Sequence, residues 1–170
     1  MNTFNKQWID LINSTESINI RLFEITDKDV IFYLFEGNLL KNEIYLPIGY
    51  EQIAAQYFKH NIPTVAEVDY AINVIEDELM SNKSLISNNE MLICSDKILI
   101  DILTQNIELK NIFTRQEIED LFSKYANVSM GEPLSRYNLD INPNNYATML
   151  ILREIMHHLN YKELNTPPFL

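Results

Sequence analysis

Near Gly49 the hydrophobic pattern of this chain turns from strand-like alternation to helical spacing, and that turn limits the folds open to it. Before Gly49, Ile18, Ile20 and Leu22 alternate with Asn19 and Arg21, and Val30 to Phe35 is apolar without a break. A half-buried strand shows alternation, and a strand covered on both faces shows a continuous run. Gly37-Asn38 supplies a two-residue hairpin signal, since glycine accepts the positive φ that such turns need. Leu40, Ile44 and Leu46 then alternate with Lys41, Glu43 and Tyr45 until Pro47. The expectation is an antiparallel meander over 18–46.

After Gly49 the apolar residues Tyr50, Ile53, Ala54, Tyr57 and Phe58 form one helical stripe. Thr64 with Glu67, and Thr114 with Glu117, have the spacing of capping boxes, so helices start behind both. Ser95 is placed to cap a helix carrying Ile98, Leu99, Ile102 and Leu103, with an alternating Ile98, Ile100, Ile102 strand as the rival, and Asn142-Pro143 opens a last helix. Phe4, Trp8, Leu11 and Ile12 suggest a short helix over 3–13. Met91 to Cys94 reads as one further buried strand. Residues 127–143 read as a long irregular connection, and the Pro-broken tail from Asn165 as loose. The fold expected is α+β: a three- to four-stranded antiparallel sheet, the meander plus a strand near 90–94, packed with about five helices in a single domain over 1–170.

Composition excludes more than it suggests. A formal charge of -11 with only 13 scattered Lys and Arg argues against binding a nucleic-acid backbone or an anionic membrane. No stretch approaches the roughly 18 apolar residues of a membrane span. One cysteine, Cys94, allows no internal disulfide and suits the cytoplasm. The three glycines, at 37, 49 and 131, lie too far apart for a phosphate-cradling loop. No cofactor is implied.

Three groups of residues are candidates for a site. Glu154, His157 and His158 share a helix face as a single Glu-x-x-His pair with a neighbour, a pattern that can ligate a metal ion but here lacks the second pair of a di-metal bundle. Asp69, Asn73, Glu76 and Asp77 make an acidic ridge on the Thr64 helix, where residues 61–82 hold five acids and no base. Arg136 and Tyr137 lie in the irregular connection and combine residue types common at contact surfaces. No nucleophile elbow or zinc-protease motif is present. The chain is therefore expected to be a non-enzymatic, bacterial-type interaction or regulatory protein, an adaptor or inhibitor whose partner is another protein, possibly a basic one. The alternatives are a small metal-dependent enzyme built on Glu154, His157 and His158, and a structural subunit of a homo-oligomer.

Overall fold

The structure, a computed structural model, describes residues 19–94, 96–108 and 110–166. The helix expected over 3–13, the Ser95 cap and residues 167–170 lie outside them. Strands β1 (Ile20–Ile25), β2 (Val30–Glu36) and β3 (Leu39–Leu46) form the expected antiparallel meander within the described residues. Gly37 turns the second hairpin at φ +57°. Helices α1 (Tyr50–Tyr57) and α2 (Val65–Ser81) follow, then β4 (Met91–Cys94) and α3 (Lys97–Asn106). Strand β5 (Ile112–Thr114), helices α4 (Arg115–Ser129) and α5 (Pro143–His158), and strand β6 (Glu163–Asn165) complete the order.

The sheet corrects the expected fold class. It has six strands in the order β3-β2-β1-β4-β6-β5, and it is mixed. Strand β4 runs parallel to β1, β6 runs parallel to β4, and β5 pairs antiparallel with β6. The reason is directional. The helical segment after β3 carries the chain back along the sheet, so the next strand sets out in the same sense as β1, as in any helical crossover. The tail differs too: Asn165 is a strand residue, and Thr166 is buried with its N–H on the Asn111 carbonyl at 2.9 Å.

The helices share one core with one face of the sheet. Helix α5 is its axis, touching α1, α2, α3 and α4. Its Tyr146 ring meets Phe58, Phe122 and Tyr125 edge-on at 5.5–5.9 Å, and its hydroxyl pairs with Ser129 Oγ at 2.9 Å. On the opposite face Ile20, Leu22, Tyr33, Phe35 and Ile93 form a second cluster, also buried, which among the described residues draws on strands alone. Among the described residues no helix is long and apolar enough to cross a membrane.

Both capping boxes form as their spacing requires. Glu67 and Glu117 each accept the backbone N–H of the threonine three residues earlier, at 2.7 and 2.9 Å. Burial opposes the charge of Glu67, but the Thr64 and Lys59 amides outweigh it and hold its pKa at about 2. Lys110 and the Thr114 amide bring Glu117 to about 2 as well. A carboxyl whose folded pKa lies below its unfolded value contributes stability above the unfolded pKa and loses it as pH falls through the folded one. Stability should therefore decline from about pH 5 towards pH 2. Urea titrations across that window should show a shallower decline in the Glu67→Gln/Glu117→Gln variant, and an unchanged slope would rule these two groups out as its source.

Candidate functional site

Ligands of open α/β sheets bind outside the carboxyl ends of parallel strands, where neighbouring strands send the chain in opposite directions. Here that point lies between β1 and β4. After Ile25 the chain turns back through Thr26-Asp27-Lys28-Asp29 into β2, and after Cys94 it leaves through Asp96 into α3.

The β1 turn is built around Thr26. Its N–H and hydroxyl both donate to the Asp29 carbonyl, at 2.8 and 2.9 Å, and its Oγ1 accepts the Asp29 N–H at 2.9 Å. The turn then docks on the start of α1. Gly49 N–H donates to Lys28 O at 2.9 Å, Tyr50 N–H to Thr26 O at 3.0 Å, and the Glu51 and Gln52 amides to Asp27 O at 3.1 Å each. The amides that a helix start leaves free are thus taken by loop carbonyls. The approach is so close that a Cβ on Gly49 would sit 2.3–2.4 Å from the Lys28 and Asp29 backbone.

The start of α3 is occupied as well. Asp96 is its cap, and its Oδ1 accepts the Leu99 N–H at 2.8 Å. Burial raises the Asp96 pKa, with the charges of Glu24 and Asp101 adding to it against the Leu99 and Ile98 amides. Burial also pushes the Cys94 thiol well up, so it stays an inert, uncharged core group. Partial burial, followed by the charges of Glu51, Asp27 and Asp96, raises the pKa of the Tyr50 hydroxyl. Beside them, Asp27, Lys28, Glu51 and Gln52 line an open hollow of about 480 Å³ on the flank of α1. The crevice is acidic, with Lys97 already tied to Asp101 at 2.6 Å. Its described residues offer carboxylates and a phenol for proton transfer.

The residues singled out from sequence lie elsewhere. The acidic ridge sits on the outer side of α2, where Asp69 and Asp77 are exposed and the Asn73 carboxamide turns back onto Asp69 O at 2.8 Å. Glu76 reaches across to His158, 3.7 Å from Nδ1. Arg136 and Tyr137 both engage Glu132, at 3.1 and 2.6 Å, which ties the connection to itself. Glu154 and His158 do meet, at 3.0 Å, but His157 turns to Glu119 at 3.6 Å and Arg153 occupies the other Glu154 oxygen at 2.5 Å. Among the described residues no three His, Cys, Asp or Glu side chains are grouped to hold a metal ion.

No family model and no curated protein matches this sequence. The architecture, in contrast, matches solved structures over nearly the whole chain. The Aquifex aeolicus Ppx/GppA phosphatase, type II variant, is similar with a TM-score of 0.73 and 14% identity, covering 95% of this chain and 57% of that one. The fold is that of the Ppx/GppA phosphatases. A Cytophaga hutchinsonii exopolyphosphatase gives a TM-score of 0.63 at 11% identity over 95% of this chain and 58% of its own, and an exopolyphosphatase-like protein gives 0.65 at 4% over 96% and 62%. The chain spans under two thirds of the length of these structures. The expectation of a non-enzymatic interaction or regulatory protein gives way here, because the solved structures sharing the fold are phosphatases.

Proposed function

We propose that this chain is a phosphatase-like domain, 1–170 as one unit, that handles a phosphate ester or anhydride in the crevice where β1 and β4 end. The likeness to Ppx/GppA phosphatases over 95% of the chain carries this reading. The placement of the crevice at the sheet's switch point supports it. In this reading the chain works in the cytoplasm.

The charge of the crevice sets a condition on the substrate. With loop carbonyls on the amides of the α1 start, and Asp27, Glu51 and Asp96 outnumbering Lys28, a bare phosphate meets net repulsion. A phosphate accompanied by Mg²⁺ does not, and that ion needs only one or two protein carboxylates besides the phosphate oxygens and water. Asp27 and Glu51, which line the open hollow, are the residues to hold it. Asp96, whose raised pKa makes its carboxylate the more basic, is the group to take a proton from an attacking water.

The test is phosphate release from polyphosphate and from p-nitrophenyl phosphate, with and without Mg²⁺. Release should require Mg²⁺ and fall about 100-fold in Asp96→Asn. Asparagine caps helices as well as aspartate does, so that variant keeps its fold. No release from either substrate, or full activity in Asp96→Asn, would end this assignment.

A further inference from the structure

A larger cavity lies at the opposite end of the sheet. It measures about 580 Å³ and opens beside the amino ends of β4 and β6, between the loop before Met91 and the loop before Glu163. That volume falls within the ordinary range of small-molecule sites. The two loops are tied together by the Ser87 N–H on Leu159 O at 2.8 Å. Each turns on an asparagine in the left-handed region, Asn89 at φ +82° and Asn160 at φ +61°. Among the described residues these are the two non-glycine positions with positive φ, and both line the cavity. Such a conformation disfavours most side chains and is tolerated by asparagine.

The lining has unspent hydrogen-bonding capacity. Among the described residues the side chains of Asn89, Asn160, Lys162 and Glu163 meet no hydrogen-bond or ion-pair partner. Each carboxamide offers two donors and an acceptor. Charge in the cavity is balanced, unlike the rest of this acidic chain: Glu90 is paired with Arg21 at 3.2 Å, and Lys162 stands next to Glu163. Neither an anion nor a cation is selected. Met91 and Ile112 add apolar surface to this wall.

From this combination we infer that the cavity is a binding site for a neutral cyclic polyol, separate from the crevice at β1 and β4. Donors and acceptors on the carboxamides and the paired acceptor oxygens of Glu163 suit neighbouring hydroxyls, and the apolar wall suits the C–H face of a ring. The chemistry is shared by a free hexose and by the ribose of a nucleoside.

Saturation-transfer NMR on the full chain separates these sources, using glucose, galactose and mannose in one arm and adenosine and uridine in the other, each at millimolar concentration. At least one probe should receive saturation. Asn89→Gly/Asn160→Gly removes both carboxamides while suiting the positive φ, so the thermal midpoint should hold while affinity for that probe falls at least tenfold. Glu163→Gln should weaken the same probe without moving the midpoint. Absence of transfer to all five probes would overturn the inference, as would unchanged affinity in the glycine pair.

Discussion

Replacing Gly49 with alanine is expected to destabilise the protein by about 3 kcal/mol, the upper end of what overpacking costs. The glycine is not required for its backbone angles, which at φ -68° and ψ 161° suit any residue. It is required for space. The methyl group would fall 2.3 Å from the Lys28 carbonyl carbon and 2.4 Å from the Lys28 and Asp29 nitrogens, and backbone atoms cannot swing aside as a side-chain tip can. Relief would come from moving the β1 turn off the start of α1, breaking the hydrogen bonds from Gly49, Tyr50, Glu51 and Gln52 to that turn. For a chain of this size the loss corresponds to a fall in Tm of about 6–12 °C. Urea unfolding of Gly49→Ala measures it, and a midpoint within error of the parent would mean that the turn does not dock as described. The same variant tests the proposed crevice, since displacing the turn moves Asp27.

What the sequence discloses about this architecture follows from which signals are local. The capping boxes at Thr64 and Thr114 and the proline at the start of α5 are local devices, and all three appear as expected. Helix α3 is also where its stripe places it, although its cap is Asp96. Strand direction is not a local property. Met91 to Cys94 shows a buried strand, but its parallel alignment with β1 depends on how far the intervening helices carry the chain. Strands β5 and β6 are three residues each, too short to display a period, and the prolines after Thr166 mask the strand character of Asn165. The crevice was missed because its residues read as punctuation. Thr26-Asp27-Lys28-Asp29 shows as a turn and Gly49 as a helix boundary, and only the fold brings them together. Glu154 and His158 were the reverse case, adjacent on one helix and therefore visible, while Glu119, which draws His157 away, lies on α4.

Arg153→Met is expected to cost about 3–5 kcal/mol, whereas Glu154→Met should cost far less. The asymmetry comes from burial. Glu154 is fully buried, and Arg153 Nη1 lies 2.5 Å from its Oε1. Its Oε2 is 3.0 Å from His158 Nε2 without hydrogen-bond alignment, and no other described donor reaches it. Removing the guanidinium leaves a buried carboxylate with one poorly aimed neighbour. Arg153, by contrast, is about a quarter exposed, also holds Glu119 at 3.1 Å, and lies over the Phe122 ring. Burial works against its charge, but Glu154 first and then Glu119 keep its pKa raised. Losing Glu154 therefore leaves the arginine paired and partly wet. Methionine is the probe because it retains the apolar stem that packs on Phe122. The double variant should recover most of the loss, because replacing both members of a buried pair with apolar groups is often neutral. A double-mutant cycle by urea denaturation reads this as a coupling of about 2 kcal/mol or more. Equal costs for the two single variants, adding in the double, would show that the pair does not act as a unit. Since α5 touches every other helix of the layer, the deficit in Arg153→Met should appear as global unfolding and not as fraying of one end.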